Sequence, residues 1–208
     1  AGGKSFEQVM SFGNLCRAGK ECCNGSRWKT STINFETDLL AESQKTYETI
    51  RDGTRKFRGF QSFATIEHGK RRDIDALPIQ ERAAQKCLCK NLLVEAYARS
   101  FVYDNGASLA GKGMDFQLRR LKKHLHDHYR RYGTQGGIYQ FDFKGYFGSL
   151  PHDTIKARAR AKIKDDRLYS LFCDYVDDFL KMKTADKAAE RKPGVGLGSE
   201  ISQIIDLD

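Results

Sequence analysis

Apolar and polar positions along the chain change period several times, and each change marks an element. From Ser26 to Arg51 the spacing is helical, with Ile33, Leu40 and Tyr47 at heptad intervals and Phe35 and Leu39 between them. Period-two runs at Phe63–Glu67 and Asp73–Leu77 predict two strands around His68, Gly69 and Lys70, a hairpin with a basic tip closed by Pro78. Gln80 to Phe101 reads as a helix with Ala84, Cys87, Leu88 and Leu92 inward. Turn residues then mark a loop from Tyr103 to Gly113. Met114 to Arg131 is a helix with Leu118, Leu121 and Leu125 on one side, and Gly133 to Gly137 break it. A strand follows at Ile138–Phe143, then helices at about 153–164 and 166–182. A charged connection, Lys183–Pro193, leads to a glycine turn and a last helix after Gly194. Helices mixed with a few separated strands imply an α+β fold, not a wound parallel sheet. There is no internal repeat, and residues 1–25 read as an N-terminal extension. The start Ala1-Gly2-Gly3, without Met, reads as a trimmed terminus.

Charge narrows the class of partner. The 208 residues carry a formal net charge of +9, which favours polyanions such as nucleic acid or an acidic membrane face. The charge is uneven: seven Lys or Arg stand against two Asp between Gly111 and Arg131. No run approaches the roughly 18 apolar residues of a membrane span, and no signal-peptide pattern opens the chain. Six cysteines lack zinc-ribbon spacing, so reduced thiols in a cytoplasmic protein are the expectation.

The strand at 138–143 carries the most specific chemistry. Tyr139, Phe141 and Phe143 alternate onto one face, expected to pack on helices, and Asp142 ends the strand toward a cleft. A carboxylate there suits Mg²⁺, which prefers oxygen ligands and substrate phosphates. The same Asp could equally be a strand-ending turn former.

The run from Tyr139 to Asp153, YQFDFKGYFGSLPHD, resembles the first polymerase motif of bacterial reverse transcriptases of the group II intron-like, diversity-generating and prophage types. Three further segments resemble that family in the expected order: the fingers hairpin at SFATIEHGKRRDIDALPIQERAAQ, the fingers segment FVYDNGASLAGKGMDFQLRRL, and the second palm motif KPGVGLGSEISQ. The resemblance implies a right-hand polymerase: fingers at 26–137 and partial palm at 138–208, with a small antiparallel palm sheet. It implies that Asp142 binds two Mg²⁺ ions (Mn²⁺ as a substitute) with the Phe143 carbonyl completing one coordination sphere. Amides near Gly145 and Tyr146 would touch the incoming dNTP, and Lys70 and Arg72 its triphosphate, with Arg82 structural. Phe147 falls at the steric gate that rejects a 2′-hydroxyl, though a core role is compatible with the same position. Gly196, Leu197, Gly198, Ser202 and Gln203 would lie against the nascent base pair. Many family members have Pro and Gln where this chain has Gly196 and Leu197, and an apolar residue there accompanies error-prone synthesis in the diversity-generating group. The partners implied are an RNA template and a DNA or RNA primer.

Two features need separating from this picture. Tyr175-Val176-Asp177-Asp178 spells the family's YxDD, but it precedes the glycine turn and sits in helical spacing that directs Asp177 to solvent. The functional YxDD is therefore expected beyond Asp208, followed by the thumb. His124, His126 and His128 share a helix with Arg119, Lys122, Lys123, Arg130 and Arg131; lacking the Glu of a zinc-enzyme motif, they read as a phosphate-facing surface contacting template and primer without base specificity. The expected activity of the complete protein is RNA-templated DNA synthesis, with the 208-residue piece inactive alone. A non-catalytic nucleic-acid-binding module and an RNA-templated RNA polymerase are the alternatives.

Overall fold

A computed structural model of the chain describes residues 3–67, 69–143, 146–180 and 200–205. The chain is helix-rich. Helices α1 (Phe6–Val9) and α2 (Phe12–Cys23) begin on serine caps; Ser5 and Gln8 form a reciprocal capping box, and Ser11 accepts from the Asn14 amide. These two helices supply Phe6, Val9, Met10 and Leu15 to the main core.

The segment expected as one helix from Ser26 is two, α3 (Thr30–Thr37) and α4 (Leu39–Arg51), broken at Asp38. Phe35 of α3 is buried, while Ile33 of α3 and Leu40 of α4 are exposed. Gly19 of α2 permits this packing: a Cβ there would stand 2.9 Å from Leu39 Cδ1 and 3.2 Å from the Phe35 ring.

Strands β1 (Gln61–Glu67) and β2 (Lys70–Ala76) pair antiparallel, with Phe63 opposite Ile74 and Glu67 opposite Lys70. Gly69, at φ +75°, supplies the left-handed residue of the tight connection. Phe63 and Ile66 are both exposed.

Helix α5 (Ile79–Leu88) runs through a π-turn at Cys89–Leu93 into α6 (Val94–Tyr97). The wider turn breaks the regular backbone ladder, and Asn91 Nδ2 donates 2.8 Å to the Cys87 carbonyl. The inward face includes Ala84, Cys87, Leu88 and Leu92, as their spacing predicts.

Helix α7 (Met114–Tyr132) buries none of its residues. Helices α8 (Tyr146–Ser149), α9 (His152–Lys162) and α10 (Asp166–Asp177) follow, and a 3-10 turn at Asp178–Leu180 ends the run. Asp165 joins both ends of the fold: its carboxylate caps α10 through the Leu168 amide at 3.0 Å and accepts from the Phe6 amide at 3.1 Å. Helix α11 (Glu200–Ile205) places Ile201 and Ile204 in the same core as Leu168, Phe172 and Tyr175.

The expected strand at Ile138–Phe143 does not form: residues 135–143 have no regular structure. Its aromatic face does not pack on helices either, with Tyr139 95%, Phe141 79% and Phe143 66% exposed. A strand needs an edge to pair with, and among the described residues the only two strands pair with each other.

Candidate functional site

Asp142 sits exposed in the irregular segment after α7. Among the described residues it makes no hydrogen bond or ion pair. The neighbouring rings form a loose chain, with Phe141 and Phe143 centroids 5.7 Å apart and Phe143 and Tyr146 5.9 Å apart. No group of three or more His, Cys, Asp or Glu suited to a metal occurs among the described residues. A two-metal centre needs carboxylates from more than one place to hold ions roughly 3.5–4 Å apart. Asp142 with the Phe143 carbonyl does not meet that requirement, so these residues do not by themselves fit the ion pair that the motif implies.

The YVDD run is fully accounted for by packing. Tyr175 and Val176 are buried on α10, and the Arg55 guanidinium lies 4.3 Å above the Tyr175 ring centroid. Arg55 Nη2 donates 2.6 Å to Glu81 Oε2 and 2.6 Å to Asp178 Oδ2, and all three side chains are nearly closed to solvent. Burial opposes the Arg55 charge, but Tyr175, Glu81 and Asp178 more than offset it and push its pKa up. Burial pushes the Tyr175 phenol far up as well, and its hydroxyl has no hydrogen-bond partner among the described residues.

Asp177 departs from the expectation that it points into solvent. It accepts two hydrogen bonds from Lys156 Nζ, at 2.6 and 2.8 Å, with His152 Nδ1 at 3.4 Å. Partial burial acts against the carboxylate, yet Lys156 and His152 prevail and hold its pKa below the ordinary range. Both aspartates of the run are therefore engaged in ion pairs on a helix and its 3-10 extension, consistent with a structural role.

On α7, the polar groups near the loop are tied down and the rest face water. Asp104 contacts Arg120 and lies 2.5 Å from His124 Nε2, while His128 Nε2 donates 2.7 Å to the Gln135 carbonyl. These contacts hold the Asp104 carboxyl below its usual range, Arg120 contributing most. Lys123 pairs with Asp127 at 2.6 Å, whereas Arg119 and Lys122 are exposed and make no pair among the described residues. Leu118, Leu121, Leu125, Tyr129 and Tyr132 form an exposed stripe along the same helix.

Lys70 and Arg72 occupy alternate positions of β2, opposite Glu67 and Thr65. Tyr146 and Phe147 begin α8. Ser202 is buried on α11. Gly145, Gly196, Leu197 and Gly198 lie outside the described residues, as do the side chains of Lys70, Arg72, Phe147 and Gln203. No polar contact joins Asp142, the hairpin and α7 to one another among the described residues.

All six cysteines are free thiols. Burial pushes the Cys87 thiol up to about 12, and burial likewise raises Cys23 and Cys173. No described helix is long and apolar enough to cross a membrane.

No family model matches the chain, and no curated protein matches it.

Proposed function

We propose that the chain is the fingers and the beginning of the palm of a reverse transcriptase, one part of an enzyme that copies RNA into DNA. The observation that carries the reading is the segment 138–143. Its sequence resembles the family's first catalytic motif, although the expected strand does not form there and its aromatic positions lie open to solvent. In this reading the sheet partners of the palm strand belong to another segment. Asp177 and Asp178 are held in ion pairs, so in this reading the second carboxylate pair comes from elsewhere.

In this reading Asp142 and the Phe143 carbonyl are the metal ligands contributed by this chain, for Mg²⁺ or Mn²⁺. The β1–β2 hairpin is the fingers hairpin, with Lys70 and Arg72 directed to the triphosphate of a dNTP. Gly145, Tyr146, Phe147 and Leu197 complete the nucleotide site, with Phe147 beneath the sugar. Gly196, Gly198, Ser202 and Gln203 serve the template-primer pair, and Arg119, Lys122 and Lys123 contact backbone phosphates. The net charge of +9 suits such a partner.

The gene sequence downstream of codon 208 tests this. A Tyr-x-Asp-Asp between two strand patterns within a few tens of codons is expected. A stop codon directly after Asp208 would overturn the catalytic reading. The isolated state of Asp142 favours a second reading in that case, a nucleic-acid-binding module of the same ancestry without activity.

A further inference from the structure

A cleft of about 240 Å³ lies between the C-terminal half of α4, the link 54–58 and the first turn of α5. Lys45, Arg55, Lys56 and Arg58 line it, against Glu81 as the one carboxylate on its wall. The nearby acids are already committed. Glu81 holds Arg55, and Glu42, beside the cleft, accepts from Gln80 at 2.9 Å and stands 3.8 Å from Arg58. Among the described residues the Lys45 and Lys56 ammonium groups make no hydrogen bond or ion pair, and neither does the Thr54 hydroxyl beside them.

The backbone adds to this potential. The first amides of α5 carry no side-chain cap, and its first turn contributes Gln80 and Glu81 to the cleft wall. The opposing C-terminus of α4 is partly answered by the Asp52 amide, which donates to the Glu48 and Ile50 carbonyls. Like charges gathered in a concavity are held apart only by water unless an anion joins them.

We propose that this cleft binds phosphate groups, as a free diphosphate or as a backbone or terminal phosphate of a nucleic-acid strand. Its volume falls below the roughly 300–1,000 Å³ of cavities that take drug-sized ligands, which selects a small anion. A monocarboxylate presents two acceptor oxygens to Lys45, Lys56 and Arg58. A phosphate presents several acceptor oxygens to ammonium, guanidinium and hydroxyl donors together. The proposal does not depend on the polymerase reading.

The test is calorimetric titration of the 208-residue chain with inorganic pyrophosphate and with single-stranded oligonucleotides, 5′-phosphorylated and not. Pyrophosphate or an oligonucleotide should bind, and the Lys45→Ala/Lys56→Ala variant should lose about tenfold or more in affinity. Lys45→Arg/Lys56→Arg should keep most of it. Lys20→Ala/Arg99→Ala, which removes two charges elsewhere, should leave it unchanged. Loss confined to pyrophosphate assigns a free diphosphate, and loss confined to oligonucleotides assigns a strand phosphate. If no ligand binds, or if the Lys45/Lys56 and Lys20/Arg99 variants lose equally with unchanged circular dichroism, the proposal is wrong.

Discussion

Arg55 and Asp178 stand 123 residues apart in sequence and meet at 2.6 Å inside the fold, with Glu81 at the same distance on the same guanidinium nitrogen. The contact ties the exit of α4 to the end of α10 and the start of α5. It turns a sequence that spells a polymerase motif into a buried ion cluster. Arg55→Ala removes the guanidinium that two buried carboxylates share and should cost roughly 3–5 kcal/mol in urea unfolding. Asp178→Asn should be markedly destabilising as well.

Tyr175→Phe separates packing from chemistry. The Tyr175 hydroxyl is buried without a partner among the described residues, so removing it should be neutral or stabilise by up to about 1 kcal/mol, while the ring remains beneath Arg55. A loss of several kcal/mol in the same unfolding assay would mean that the hydroxyl is bonded.

Asp177 provides a pH signature. Its carboxyl pKa is held low in the fold, so its contribution is present above the unfolded value near 3.9 and is lost as pH falls through the lower folded value. The stability difference between the wild type and Asp177→Asn should be largest near neutral pH and shrink below about pH 4. It should stay below about 1 kcal/mol, because the pair is partly open to water and screened. A difference that grows on acidification would contradict the assignment.

Exposure along α7 can be read against the core. Phe172→Ala removes a fully buried ring and should cost about 3–5 kcal/mol. Leu121→Ser, on the open stripe, should change stability by within about 0.5 kcal/mol. Equal losses would show that α7 packs on a partner in solution.

Thiol reactivity should follow burial. At pH 8, with the fold intact, an alkylating agent should spare Cys87, whose thiol burial pushes up to about 12, and modify it only on unfolding. Peptide mapping by mass spectrometry reads the difference directly.

What could be read from the sequence was set by how local each signal is. The helices at 79–97, 114–132, 152–162 and 166–177 follow from spacing within single segments, and the buried set Ala84, Cys87, Leu88 and Leu92 falls where that spacing puts it. Alternation at 138–143 was equally clear, but a strand is completed by another strand, and none adjoins it among the described residues. The break at Asp38 restarts the helix just before Leu40, which lies outward, and Ile33 is exposed on α3. Arg55 was invisible as a hub, since nothing near it in sequence shows that Glu81 and Asp178 will converge on it. The helical setting of YVDD was legible from its i, i+3, i+4 pattern, whereas the Lys156 and His152 partners of Asp177 lie on a different helix.

The central claim concerns Asp142. The most direct measurement is Mg²⁺-dependent extension of a primer on an RNA template by the protein with its downstream segment present, comparing wild type with Asp142→Ala. The account predicts dNTP incorporation by the wild type and none by the variant, with both folded by circular dichroism. Undiminished extension by Asp142→Ala would contradict it.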